Sequence, residues 1–390
     1  MLLTVLVFFL ILSVLVLVHE AGHFFVAKRL GIKVEEFGFG LPPRIFGLKF
    51  GETLYSINWL PIGGFVKLFG EEGKDDIGRA DPKGKEVKKR AFYTRSPLQR
   101  SLVIVAGVVM NFVLAVSVIS YLFTQGVMVP TDRIHIEKIL AGSPAEKAGL
   151  KEKDIIRKMK TLKAESDKDT SGVARRDSPD GGGIRKNYTR MEETEIKTGE
   201  QLIETTKKHL GESITLMIDR NGQNMEISII PRKEYPKDEG PMGIVVSRFE
   251  EKKYPWYQAP FLGTKESMVI SLELVKGIGK TLWKLISFQP VGKDVAGPIG
   301  IAQMTGSAIK TGENAVLELL GLLSLNLAIV NILPFPALDG GRLLFVVIEG
   351  LTGKRIKTHW ERYIHQFGMI LLLLLMVLVT LNDVVRILAK

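Results

Sequence analysis

The chain has 390 residues, of which 46% are hydrophobic, and it carries a formal net charge of +11. It contains no cysteine, which excludes disulfides and a thiol nucleophile. The net positive charge is not accompanied by a nucleic-acid-binding motif, so no nucleic-acid partner is expected. The apolar residues are gathered into blocks long enough to cross a bilayer, and this clustering indicates a membrane protein.

Residues 1–31 predict one retained membrane helix that carries a metal motif. Its apolar run lacks a basic start and leads into His19 and Glu20 rather than a small-residue cleavage site. His19 and His23 stand four residues apart and share one helix face, so both imidazoles can reach a single Zn²⁺. Glu20 can take a proton from zinc-bound water, whose pKa falls from about 15.7 to about 7. Ionisable residues are costly in a membrane segment, which favours this site over a chance match.

Residues 32–100 are basic and contain two short β-type runs, 53–60 and 64–68. Pro61, Ile62 and Gly63 stand between these runs, and this pattern predicts a hairpin. The free edge of such a hairpin can hold an unwound substrate by strand addition. The alternative is a small cytoplasmic hairpin without a catalytic role. The candidate substrate-binding residues on this edge are Phe65 and Val66.

Residues 101–125 predict a second membrane span, and residues 126–235 resemble a PDZ domain. Within that domain, Asn221 and Gly222 separate two β-type runs and predict a hairpin. Residues 162–195 are rich in Ser, Asp, Gly, Lys and Arg and predict a disordered insert. Residues 236–314 predict amphipathic helices at the outer membrane interface, because charged residues interrupt their apolar runs. A helical linker packed on the external domain is the alternative.

Residues 315–351 predict a third span that breaks before its end. Asp339 is the only acid between positions 319 and 341, and two prolines and two glycines surround it. Broken backbone at membrane depth is tolerated only where it is buried or lines a cavity, so Asp339 can face a metal. An ordinary loop between two hydrophobic helices is the alternative. Asn326 and Asn331 lie in the same span, where an amide without a partner is costly, and both are candidate substrate-binding residues.

Residues 352–366 predict a basic cytoplasmic turn, and residues 367–385 predict a fourth span. Lysines and arginines are concentrated in this turn and in residues 28–100. The positive-inside rule therefore places residues 126–235 on the outer side. Four other histidines lack ligand spacing and are expected to be solvated; they are His135, His209, His359 and His365.

Several of these motifs together resemble the site-2 protease family of intramembrane zinc metalloproteases, and most of all its bacterial regulator-of-sigma-E type. The His-Glu-Ala-Gly-His sequence that starts at His19 matches the first family motif. Residues 331–341, which contain Leu-Asp-Gly, match the second. The Gly-Pro-Ile-Gly sequence at 297–300 and Asn-Asp at 382–383 also resemble the bacterial branch.

The resemblance implies that His19, His23 and Asp339 bind Zn²⁺, that Glu20 is the general base and acid, and that Asn331 contacts the substrate or orients the site. It implies cleavage within the transmembrane segments of single-pass proteins, such as anti-sigma factors shortened by a first protease, or remnant signal peptides. The expected location is the bacterial inner membrane, with the PDZ-like domain on the periplasmic side.

The expected fold is a polytopic α-helical membrane protein with about four transmembrane helices, a membrane-associated β-hairpin and an external α+β PDZ-like domain. Two alternatives come from other functional classes. A non-catalytic membrane adaptor would use the PDZ-like domain to hold partners and would have a degraded metal site. A metal transporter would need several ligand-bearing spans.

Overall fold

The computed structural model describes residues 2–71, 89–163, 190–236, 239–287, 297–356 and 358–388. The chain divides into two compact units, one formed by Met1–Gln125 with Tyr254–Lys390 and the other by Gly126–Lys253. Among the described residues, four helices are long and apolar enough to cross a membrane. The predicted combination of four apolar helices with β structure is therefore present.

The first helix, α1, spans Leu2–Arg29. Lys28 and Arg29 lie in its last turn, where their positive charges interact favourably with the negative end of the helix dipole. Gly31 follows with a φ of 70°, a left-handed conformation that commonly ends a helix. Its buried side chains recur at helical spacing, so His19 lies on the same face that packs into the bundle. The stripe consists of Ile11, Leu15, His19 and Gly22.

Strands β1 (Val34–Phe50) and β2 (Thr53–Leu68) form a long antiparallel hairpin. The sequence predicted that runs 53–60 and 64–68 pair with each other, and this was wrong. Both runs lie in one bent strand, and both pair with β1. Phe39 of β1 lies opposite both Ile57 and Gly64. Pro61 lies at the bend and cannot donate to a strand ladder, so the ladder is interrupted there.

Helix α2 spans Pro97–Gln125 and packs along α1. Proline at the first helical position suits this start, because its missing N–H has no partner there in any case. The buried stripe of α2 repeats every four residues and contains small and polar members. It includes Val103, Gly107, Asn111 and Ala115.

The second unit is a six-stranded sheet with two short helices, arranged in the order β7-β6-β4-β3-β8, with β5 paired to β4. Ile134, Ile156 and Leu216 are fully buried at the centre of its core. The elements are β3 (Val127–Ile139), α3 (Pro144–Lys147), β4 (Ile155–Lys163), β5 (Arg190–Glu195), α4 (Gly199–Lys208), β6 (Ile214–Arg220), β7 (Gln223–Ile229) and β8 (Ile244–Lys252).

The hairpin predicted around Asn221 and Gly222 is β6–β7, and both turn residues have positive φ, at 54° and 85°. Two other predictions were wrong. Strand β8 lies in the region 236–314, which was predicted to contain only helices, so the domain extends to Lys253. Strand β5 lies within the predicted disordered insert; it is stabilised by opposite charges across the ladder, such as Lys158 and Glu193. Residues 164–189 of the insert lie outside the described residues.

Five further α-helices lie in the part of the first unit that the structure describes: α5 (Ala259–Ile286), α6 (Pro298–Thr311), α7 (Glu313–Ile332), α8 (Asp339–Thr352) and α9 (Thr358–Leu388). Ile270 and Leu274 of α5 pack in a cluster with Ala115 of α2. Helix α5 therefore packs into the bundle, whereas the sequence predicted helices that lie only at the outer interface. The predicted third span is two helices, α7 and α8, because the prolines break it. Helix α9 takes in residues 358–366 of the predicted basic turn, where no proline or glycine stops it.

Candidate metal centre

His19 and His23 project from one face of α1, and their Nε2 atoms lie 3.2 Å apart. His19 is buried, with only 6% of its surface exposed. Asp339 starts α8, and its Oδ2 lies 3.0 Å from Nε2 of His19 and 3.3 Å from Nε2 of His23. Among the described residues these three form the one group of His, Asp or Glu suited to hold a metal ion, with ligand atoms within 4.8 Å of one another.

The far side of each imidazole contacts α2. His23 Nδ1 lies 2.8 Å from the carbonyl oxygen of Val103, so it can donate there. His19 Nδ1 lies 3.3 Å from the side-chain amide of Asn111, which is fully buried. A metal-binding histidine usually donates its second N–H to such an acceptor, which fixes both the tautomer and the ring. Asn111 therefore lies where it can orient the ring of His19.

The Asn111 amide also shows how the site would adapt to a metal. In the present orientation its Nδ2 faces His19, and its buried Oδ1 has no hydrogen-bond partner. Turning the amide over presents Oδ1 to an Nδ1–H of His19 and leaves Nε2 free for a metal ion. Both histidines can thus take the neutral form, with Nε2 toward Asp339, that a metal requires.

Two glycines allow α1 and α2 to approach closely beside the histidines. A Cβ atom at Gly22 would lie 2.7 Å from the carbonyl carbon of Ala106, and one at Gly107 would lie 2.8 Å from Cε1 of both His19 and His23. Sequence reasoning did not single out Gly107. The available signal was a glycine inside an apolar helix, where it is about 1 kcal/mol less favourable than alanine and usually marks close packing.

Glu20 lies beside the metal-ligand group and lines a cavity of about 1000 Å³ together with His23 and Asp339. Strand β2 forms another wall of this cavity, through Phe65 and Val66. A Cβ at Gly64 would lie 3.5 Å from Cγ of Glu20, so this strand passes directly by the carboxylate.

The asparagines of α7 take different positions. Asn331 Nδ2 lies 3.4 Å from His19 Nε2, and Asn331 thus reaches the metal-ligand group. Asn326 is half-buried in the same helix and does not line the cavity. His365, expected to be solvated, instead lines the cavity and accepts a hydrogen bond from the N–H of Ala337.

The described part of β2 has one open side next to this site. Phe65 pairs with Gly38 and Val66 with Phe37, both of β1, and no strand pairs with residues 64–66 on the other side among the described residues. Backbone N–H and C=O groups on an open strand edge can accept a further extended chain. The arrangement thus brings together a metal-ligand group, a carboxylate and an edge for an extended peptide.

Comparisons with known proteins cover almost the whole chain. A family model described as "Peptidase family M50" matches residues 7–375. A Clostridium acetobutylicum protein is 32% identical over 374 residues, 96% of this chain and 95% of that protein. A "Zinc metalloprotease RasP" of Oceanobacillus iheyensis is 28% identical over 455 residues, 98% of this chain and 99% of its own. A "Regulator of sigma-W protease RasP" of Bacillus subtilis is 29% identical over 454 residues, 98% of each chain.

Proposed function

The chain belongs to peptidase family M50 and is a zinc metalloprotease of the site-2 protease type, and on that premise we propose that it hydrolyses peptide bonds within the transmembrane segments of single-pass membrane proteins. Its four apolar helices make it an integral membrane protein. The observation that carries the proposal is the convergence of His19, His23 and Asp339, from positions 320 residues apart, beside Glu20.

The three side chains form a donor set that suits zinc. Two imidazole nitrogens and one carboxylate oxygen leave a fourth tetrahedral position open, as in catalytic zinc sites. Bonds of about 2.0–2.2 Å set two ligand atoms of a tetrahedral site about 3.4 Å apart. The separations of 3.0, 3.2 and 3.3 Å between the candidate ligand atoms are close to that value. His19, His23 and Asp339 are therefore the proposed ligands.

Glu20 is the proposed general base and acid. Zinc, when bound, activates water and polarises a carbonyl group. Glu20 stands next to the ligands and faces the cavity, so its carboxylate can receive the proton of the attacking water and then deliver it to the leaving amine. Asn331, whose Nδ2 lies 3.4 Å from His19 Nε2, is proposed to donate to the substrate backbone or to hold the site in orientation.

The substrate is proposed to bind as an added strand along residues 64–66. A helical peptide bond is shielded by its own turn, so the segment to be cut must be extended. Strand addition supplies backbone hydrogen bonds to such a segment, and Phe65 and Val66 supply side-chain contacts. Gly64 lies beside Glu20, which would bring the extended chain directly past the general base.

The hairpin that offers this edge is apolar on its outer surface. Ile45, Phe46, Phe50 and Trp59 are 66%, 59%, 76% and 66% exposed. Large exposed apolar patches on a protein mark contact with a membrane or a partner. The hairpin is therefore proposed to be associated with the bilayer, where an unwound membrane segment would meet it.

The second unit is proposed to be PDZ-like and to act as a size filter on the outer side of a bacterial inner membrane. Strand β8 lies at one end of the described sheet, and its Val246 lies beside Gly199 of α4. This end strand therefore runs next to a helix, which supports the PDZ-like proposal. Basic residues in 28–100 favour a cytoplasmic location for that segment, and residues 126–253 are therefore proposed to lie outside. A filter of this kind favours substrates already shortened by a first protease, anti-sigma factors among them.

The test is cleavage of single-span substrates by the purified protein. Wild type should cut them, a zinc chelator should stop the reaction, and Glu20→Gln should keep zinc but lose turnover, because an amide cannot accept the proton. Glu318→Gln on α7 serves as the matched control and should behave as wild type. Near-normal turnover of Glu20→Gln would exclude Glu20 as the base, and a zinc-free chain that cleaves would exclude the proposal.

A further inference from the structure

The segment between α7 and α8, which leads into Asp339, has an unusual backbone. Ala337 has a φ of 76°, in the left-handed region that alanine rarely adopts. Such a conformation persists only where the surrounding structure holds it. Because Ala337 is two residues before Asp339, whatever holds this bend also determines where the Asp339 carboxylate lies.

Helix α9 makes the first of these contacts through a histidine. The N–H of Ala337 donates to Nδ1 of His365 over 2.9 Å. The ring of His365 also meets Phe345 of α8 edge-on, with centroids 5.6 Å apart. His365 is thus oriented by α8 and in turn holds the backbone immediately before α8.

One turn further along α9, a glycine provides the second contact. A Cβ at Gly368 would lie 2.7 Å from the carbonyl carbon and oxygen of Pro336, so only a residue without a side chain permits this approach. His365 and Gly368 stand three residues apart and lie on the same helix face. Helix α9 therefore touches the bend at two neighbouring residues, Pro336 and Ala337.

The start of α8 also packs closely against the bend. A Cβ at Gly340 would lie 2.5 Å from the carbonyl carbon of Ile332, and one at Gly341 would lie 2.9 Å from that of Phe335. The backbone before Asp339 is thus in close contact with both α9 and the first turn of α8. A lateral shift of α9 would move Ala337 and Asp339 together.

We propose that His365 is a positioning residue, with Gly368 as its support, and that through Ala337 it holds Asp339 against His19 and His23. This inference rests on the proposed role of Asp339 as a zinc ligand. It gives a function to the fourth apolar helix, none of whose described residues belongs to the candidate ligand group. His365 does not touch the reacting atoms; it acts through the backbone that carries Asp339.

The experiment compares His365→Ala, His365→Asn and His359→Ala by chelator competition for zinc, alongside cleavage. Support groups of metal ligands typically contribute about 10–100-fold to metal affinity, so His365→Ala should lose zinc in that range while keeping the fold. His365→Asn should restore most of it, because the amide oxygen can take the place of Nδ1 as acceptor. His359 lies on the same helix with an exposed side chain, and His359→Ala should retain wild-type affinity.

Wild-type zinc affinity in His365→Ala would overturn the proposal, and so would an equal loss in His365→Ala and His365→Asn. If His365→Ala does not fold, Gly368→Ala tests the same bend through Pro336: it should weaken zinc retention, and unchanged retention would overturn the proposal. Asp339→Asn, measured in parallel, separates the two levels of the account. If Asp339→Asn retains zinc, the proposed metal site itself is refuted. If Asp339→Asn loses zinc but His365→Ala retains it, only the positioning role of His365 is refuted.

Discussion

Gly107→Ala tests whether the close approach of α1 and α2 shapes the metal site. The added Cβ would lie 2.8 Å from Cε1 of both His19 and His23, whereas ordinary van der Waals contact begins at 3.4 Å. The nearest atoms belong to side chains, so the imidazoles are expected to move rather than the helices. A displacement of more than half an ångström far exceeds the ±0.2 Å within which zinc–ligand distances normally fall.

The expected result of Gly107→Ala is a loss of zinc affinity with little loss of fold. Tenfold weaker binding corresponds to about 1.4 kcal/mol, and we expect at least that much. Alanine is about 1 kcal/mol more favourable than glycine inside a helix, which offsets part of any packing cost. Zinc affinity should therefore fall while the thermal unfolding temperature changes little.

The assay is chelator competition on the purified variant, with thermal unfolding and cleavage measured on the same sample. Gly321→Ala is the matched control, because it lies in α7, also against α2, and its Cβ would meet Ile119 at an ordinary 3.4 Å. The control should retain zinc and cleavage. If Gly107→Ala binds zinc as tightly as Gly321→Ala, Gly107 is not needed to make room for the histidines.

Three further predictions concern other parts of the chain. Asn111→Leu should lower zinc affinity about 10–100-fold and Asn111→Asp should largely preserve it, because only the latter offers an acceptor to His19; equal retention by both would count against this role. The hydrogen bond from Arg90 lowers the pKa of Glu52 to about 2 from 4.5, so the stability that Glu52 adds is present above pH 4.5 and is lost as the pH falls toward 2. The difference in unfolding temperature between wild type and Glu52→Gln should shrink over that interval, and a constant difference would contradict the pairing. Replacing residues 126–253 by a short linker should let substrates with large external domains be cut; loss of cleavage of already shortened substrates, with zinc and fold intact, would instead indicate docking.

The convergence of the three candidate metal ligands was predictable because its signals are local. His19 and His23 are related by helical spacing alone, and Asp339 stands out as the one acid in a segment broken by proline and glycine. Their convergence could be inferred because ionisable residues and broken backbone are both energetically costly in a membrane segment, and one shared metal site accounts for both. The packing around them was not predictable in this way, since the contact of Gly107 with the histidines depends on how two helices cross.

The β structure shows where local patterns fail. Turn residues at 61–63 suggested a hairpin within β2, but the partner is β1, whose prolines and glycines obscure strand alternation. Strand β8 was missed because its partner, β3, lies more than a hundred residues earlier and its second half is charged. The role of His365 was missed for a similar reason: its partner is a backbone N–H on another element, and no side-chain spacing signals such a contact.

The central claim is that His19, His23 and Asp339 hold one zinc ion, and X-ray absorption at the zinc edge of the purified protein tests it most directly. The expected result is one zinc per chain with two nitrogen ligands at about 2.0–2.1 Å and a carboxylate oxygen at about 2.0–2.2 Å. The imidazole signal should disappear, together with the zinc, in a His19→Ala, His23→Ala double variant. A stoichiometric zinc whose ligand shell is unchanged in that variant would contradict the account.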